Sequence, residues 1–218
     1  MRSLSRFYTL LTQPAPPDCF NPWLQHDAAT DACRDAPARR LARLMRHLDC
    51  RARFLLVGEA PGYQGAKVSG IPFTSERLMG EGVIPRIALG DARLSTRARP
   101  WSEPSATIVW KALHELGIAD QTILWNAFPW HPYKAGQLHS NRTPTPGERG
   151  SGRPVLLALL RAFPDARLFA IGRQAEHTLG AMGLAADPLR HPSMGGATAF
   201  RNGLRAATLR TRASPQTR

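Results

Sequence analysis

The sequence predicts an α/β fold with a mainly parallel sheet, and three observations carry that expectation. Three short apolar runs, "RFLLVG", "TILWNAF" and "ARLFAIG", have the length and character of buried parallel strands. Helical patterns stand between and after them, and strands that alternate with helices make a parallel sheet. Polar residues cluster where those strands end, which is where open α/β sheets gather their function.

Residues 13–37 are rich in proline and small polar side chains, so residues 1–37 read as an arm or wrapping segment ahead of a single domain over 38–211. "APARRLARLMRHLDC" opens that domain with Leu41, Leu44, Met45 and Leu48 at helical spacing and arginines on the other face. The first strand follows. Val109, Ala112, Leu113 and Leu116 mark a helix ending near Gly117, and the second strand comes next. After the third strand, "RQAEHTLGAMG" reads as another helix. Two long interruptions, 80–105 and 129–153, read as loops of the functional or mobile kind. Residues 212–218 read as a basic, frayed tail.

With 218 residues and 43% hydrophobic content, the chain is long enough to bury a proper core. The formal net charge of +13 favours a polyanionic partner such as nucleic acid. Only three of the 29 basic residues are lysines, a skew that genome composition also produces. Cys19, Cys33 and Cys50 form no C-x-x-C pair and cannot all pair within one chain, so a reducing, cytoplasmic setting is expected. No run of 18 apolar residues argues for a membrane span, and a monomer is expected.

"LLVGEAPGYQGAKVSGIPFT", residues 55–74, runs from a strand into a loop with four glycines and one carboxylate, Glu59. It is not a nucleotide cradle. Gly65 is followed by Ala66 and Lys67 where a Walker loop needs Gly-Lys-Ser/Thr, and G-x-G-x-x-G is absent. Pro61 also removes one backbone donor from the loop.

"GEAPG" at 58–62, "IPF" at 71–73, "NAFPWHP" followed by "NRTP" at 141–144, and "HPS" at 191–193 stand in the order and spacing of the uracil-DNA glycosylase superfamily. Over roughly residues 40–210 the chain resembles that family, and most of all its branch with a Gly-Glu first motif. The resemblance implies a three-layer α/β/α sandwich on a four-stranded, mainly parallel sheet. It also implies excision of a base flipped out of DNA, with an abasic site left; no lysine is placed to form a Schiff base, so strand cleavage is not expected. Uracil-containing DNA, single- or double-stranded, is then the partner, free uracil the product, and no metal or redox cofactor is called for.

Base excision demands a ring to stack on, an amide to read the Watson–Crick edge and a stabiliser of the departing anion. The resemblance puts Phe73 under the base and Asn126 on its edge. Asn126 would accept from N3–H of uracil and donate to O4, a pattern that cytosine reverses. It puts His191 near O2, where negative charge grows as the bond breaks. Glu59 would orient water and favour the cationic sugar. Gly58 and Ala60 complete the base pocket. Each residue also has a structural reading: a core phenylalanine, a strand-end asparagine capping backbone, a structural histidine, a carboxylate that fixes its loop. Candidate DNA contacts are Gly62, Lys67, Asn141, Arg142, Ser193 and Arg201, with Met194 as a wedge for the gap left by the flipped base.

The chain departs from the family at several points. Ala60 stands where the classical enzymes carry aspartate, and Gly62 where they carry the tyrosine that excludes thymine, with Tyr63 one place late. Many members of the Gly-Glu branch hold an iron–sulfur cluster on four cysteines. Here Trp130 stands near one expected cysteine, so no cluster is predicted. A related subclass cross-links to the abasic sugar through a loop histidine. Asn141 occupies that place and His139 lies two residues before it. Two other functions stay open: a lesion or abasic-site binding protein with little turnover, and a glycosylase for another deaminated base such as hypoxanthine.

Overall fold

The computed structural model describes residues 3–91 and 93–213. In chain order the elements are α1 (Ser5–Leu11), β1 (Cys19–Phe20), α2 (Ala36–Leu48), β2 (Phe54–Gly58), α3 (Ala66–Ser69), α4 (Glu76–Gly80), α5 (Pro104–Glu115), β3 (Thr122–Asn126), β4 (His131–Pro132), α6 (Pro146–Ala162), β5 (Arg167–Ile171), α7 (Arg173–Ala181), β6 (Asp187–Leu189) and α8 (Ala197–Ala213). Four strands pair in the order β3-β2-β5-β6, every pair parallel. β1 and β4 form a separate antiparallel pair that ties the N-terminal segment to the chain after β3.

Alternation along β2 divides the core into two layers, because successive side chains of a strand point to opposite faces. Phe54 and Leu56 pack with Trp110 and Leu113 of α5 and with Phe200 and Leu204 of α8. Leu55 and Val57 pack with Phe7 and Leu11 of α1, Leu44 and Leu48 of α2, Leu159 of α6 and Leu179 of α7. The result is the three-layer α/β/α sandwich expected above.

The expected faces of α2 need correction. Arg40 and Arg43 are buried, while Met45 is 49% exposed. Arg40 forms a buried ion pair with Asp31 and donates to the carbonyls of Val68 and Pro22. Arg40 turns inward because the 21–35 segment brings carbonyls and a carboxylate to meet it, and Arg43 because the Ser69 carbonyl does. Buried charge persists only with such partners.

The 129–153 interruption is not all loop. α6 begins at Pro146, where a missing N–H costs nothing, behind a capping box between Thr145 and Glu148. Its Gly152 is required by packing, since a β-carbon there would stand 2.7 Å from Pro129 and 2.9 Å from Phe128. The 80–105 segment is fastened to the protein. The buried Glu76 carboxylate accepts from the backbone N–H groups of Leu94 and Ser95 at 2.9 Å, from the Ser95 hydroxyl at 2.6 Å and from Trp101 N–H at 3.2 Å. α8 runs on to Ala213, two residues into the expected tail, and residues 214–218 of that tail lie outside the described residues. Among the described residues no helix is long and apolar enough to cross a membrane.

Candidate active site

The register of β2 on β3 sets Gly58 opposite Asn126 at the carboxyl edge of the sheet. Ile171 ends β5 on the same edge, and the chain leaving β6 carries His191 back to it. There the loops enclose a cavity of about 800 Å³, lined among others by Glu59, Phe73, Asn126, Asn141, Gly172 and His191. Glu59, Phe73, Asn126 and His191, which lie on separate stretches of the sequence, therefore meet in one space.

Gly58 lets the site close. A β-carbon on it would stand 2.6 Å from the Phe73 ring and 2.9 Å from Asn126 Oδ1. Phe73 adopts φ +50°, a left-handed conformation that costs a bulky residue energy and survives where the surroundings impose it. Asn126 is 3% exposed, and among the described residues no hydrogen bond occupies its amide. A buried amide without partners, facing a cavity, is set for a ligand.

The His191 ring is oriented by its own loop. Its Nδ1 accepts from the backbone N–H of Ser193 at 3.1 Å and lies 2.7 Å from the Ser193 hydroxyl. A neutral imidazole that accepts at Nδ1 carries its proton on Nε2, so Nε2 is the donor. Burial, and then the charge of Arg190, hold its pKa below the ordinary histidine value.

Burial raises the Glu59 carboxyl above its usual range, against the lowering effects of a hydrogen bond from Thr143 and the charge of Arg149. Its Oε1 is shut off from solvent and has no hydrogen-bond partner among the described residues. The loop bearing it is pinned by His131, whose two ring nitrogens lie 2.7 Å from the Pro61 carbonyl and 3.0 Å from that of Leu138. Burial pushes His131 down to about 4.

Ala60, Gly62, Asn141, Arg142 and Ser193 also line the cavity. Asn141 Oδ1 accepts from Tyr63 N–H at 3.1 Å, joining the two loops across the mouth. Arg142 turns to the protein: it grips both carboxylate oxygens of Glu148 at 2.7 and 2.8 Å and donates to the Tyr133 carbonyl. That pairing, against the adverse effect of burial, holds Glu148 down at about 2. Lys67, expected at the DNA, is turned into the protein. It is 1% exposed and pairs with Asp27 at 2.6 Å, because the wrapping segment reaches over it. Gly58 lies behind the ring and amide, Met194 stands outside at 91% exposure with φ +52°, and Arg201 sits on α8 away from the cavity lining. His139 is likewise held to Asp27, at 3.1 Å.

Glu103, Ser105, Thr143 and Arg173, none of them among the candidates expected from sequence, also line the cavity. Glu103 and Ser105 flank Pro104 at the start of α5, and a proline at a helix start beside a long polar loop was the available signal.

The residues present do not fit an iron–sulfur cluster. Trp130 is buried in the core, and burial, with Glu148 beside it, pushes the Cys19 thiol up to about 12. Among the described residues no three His, Cys, Asp or Glu side chains group as metal ligands.

The sequence profile described as the uracil DNA glycosylase superfamily matches residues 45–209. No curated protein matches the chain. Among solved structures, the crystal structure of wild-type SMUG2 from Pedobacter heparinus is similar, with a TM-score of 0.58 and 16% identity over 93% of this chain and 92% of that one. At that identity the likeness speaks for the fold.

Proposed function

The chain belongs to the uracil DNA glycosylase superfamily, and from that premise we propose that it hydrolyses the N-glycosidic bond of uracil flipped out of DNA. It acts as a monomer and leaves an abasic site with the strand uncut. The observation that carries the reading is the convergence of Phe73, Asn126, Glu59 and His191 on one cavity.

In this mechanism the flipped base stacks on Phe73, a contact typically worth about 1–3 kcal/mol. Asn126 accepts from N3–H and donates to O4, so cytosine leaves both buried groups unpaired. Nε2–H of His191 donates to O2 as charge builds there, which lowers the barrier. The Glu59 carboxylate favours the cationic sugar. Met194 fills the gap in the stack. Arg173 and Arg190 line a smaller recess of about 390 Å³ beside His191, suited to the flanking phosphates.

A wider base range is favoured by one observation. Gly62 lines the cavity while the neighbouring Tyr63 ring packs edge-on against Trp101 at 5.7 Å, so no tyrosine stands at the wall as a size filter. Hypoxanthine is the larger base to test.

The deciding measurement is single-turnover base release from single-stranded and duplex DNA bearing uracil or hypoxanthine, by wild type and by Asn126→Ala and His191→Ala. Release that collapses in both variants supports the reading. Tight abasic-DNA binding without any release assigns the protein to lesion binding instead.

A further inference from the structure

The cavity contains a second carboxyl, on α5. Glu103 stands at the N-cap position of that helix, its side chain making no capping hydrogen bond, and lines the same space as Glu59, Phe73, Asn126 and His191. Its backbone is fixed on both sides. Trp101 N–H is tied to Glu76 at 3.2 Å, and the Glu103 carbonyl accepts from Thr107 N–H at 3.3 Å. The carboxyl lies directly over Gly65 of the loop after β2, where any β-carbon would collide with its Oε2. Gly65 is thus a glycine because Glu103 needs its space.

The two carboxyls differ in what engages them. Glu59 has Thr143 and Arg149 beside it, and its Oε1 is closed to solvent. Glu103 keeps an open face on the cavity, and no group among the described residues hydrogen-bonds its carboxyl. A recessed carboxyl without a partner among the described residues, on a fixed backbone and in the cavity that Phe73, Asn126 and His191 also line, is placed to hold water.

We propose that Glu103 is the general base of the hydrolysis. The inference rests on the glycosylase reading. Water's oxygen bonds to C1′ as the C1′–N bond breaks, and the electron pair of that bond leaves with the base. The water proton passes to the Glu103 carboxylate, and then by way of solvent to the base anion, so that free base departs and the carboxylate is restored. Glu59 keeps the electrostatic role at the sugar.

Burial alone pushes Glu103 up to about 7, which suits a base working near neutral pH. The other charged or titratable groups around the cavity are Glu59, Arg142, Arg173 and His191. Arg142 is held by Glu148, and Lys67, two residues past Gly65, is paired with Asp27.

The test is single-turnover release of uracil from single-stranded DNA between about pH 5 and 9, the range that brackets such a base. The wild-type rate is expected to rise through neutrality. Glu103→Gln is expected to lose about 10²–10⁴-fold in rate together with that rise, while abasic-DNA binding and melting temperature hold. Glu59→Gln slows but keeps the rise. Glu103→Asp, with its carboxylate one methylene back, keeps the rise at a lower rate and serves if the glutamine variant misfolds. A Glu103→Gln enzyme with the wild-type pH profile, or an aspartate variant without the rise, overturns the proposal and leaves the glycosylase reading standing. A wild type that releases neither uracil nor hypoxanthine overturns both.

Discussion

The Phe73 ring rests on the α-carbon of Gly58, so near that a β-carbon there would stand 2.6 Å from it. Backbone, ring and amide are packed as one unit, since Asn126 Oδ1 would meet the same β-carbon at 2.9 Å. Gly58→Ala must displace the ring or the amide. The expected outcome is a loss of about 10–100-fold in single-turnover rate, the scale of a lost base-stacking contact. Circular dichroism of the variant would show the sheet retained.

His191 is expected to hold the Nε2–H tautomer at neutral pH, because Ser193 N–H donates to Nδ1. Nitrogen-15 shifts of labelled protein would read this directly. His191→Ala removes a preorganised donor and should cost about 10²–10³ in rate, with little effect on melting.

Met194 presents an almost fully exposed apolar side chain from a left-handed backbone. Met194→Gly relieves that conformation and deletes the wedge. Release from duplex DNA should fall by about tenfold or more, since unstacking a step costs a few kcal/mol, while release from single strands stays near wild type. Equal losses on both substrates would remove the wedge from the mechanism.

Asp27 is the acid-sensitive link of the wrapping segment. Burial would raise its pKa, but hydrogen bonds from Lys67 and Thr30, the charge of Lys67 and the contact with His139 outweigh it and hold the carboxyl well below the usual range. A carboxylate depressed on folding contributes stability that is present above its unfolded value, about 3.9, and is lost as pH falls toward the folded one. Thermal unfolding between about pH 2 and 6 should therefore show a steep acid loss that flattens in an Asp27→Leu/Lys67→Met protein. Asp27→Asn alone leaves Lys67 buried without its counter-charge and should cost about 3–5 kcal/mol.

Glu76 holds the 80–105 segment, and with it Trp101 and Glu103. Glu76→Ala strands three backbone donors and a hydroxyl, at a cost of at least about 3 kcal/mol. Denaturant unfolding should show this, and limited proteolysis should cut first between Leu89 and Arg99.

Strands β2, β3 and β5, the helices α2, α5 and α7, and the carboxyl-edge location were legible because period and apolar character are local properties of the chain. α6 was hidden by its own sequence: Gly147, Gly150, Gly152 and Pro154 read as breakers, yet the capping box and close packing on Phe128 override them. Phe73, Asn126, Glu59 and His191, which line the cavity, could be named from ordered motifs. Lys67 and Arg142 could not be told from phosphate ligands, since their partners, Asp27 and Glu148, are specified only once the chain has folded.

The sequence by itself determined a parallel α/β domain, a basic surface and the motif residues that gather at one sheet edge. These follow from hydrophobic periodicity, composition and order along the chain, none of which needs distant contacts. Only the tertiary structure decided that Lys67 is buried and paired with Asp27, and that Glu103 lies over Gly65 inside the same cavity. Those outcomes depend on burial and on neighbours 38 or more residues away, from Gly65 to Glu103 and from Asp27 to Lys67. The free energy of a charge or a proton is set by what surrounds it in space.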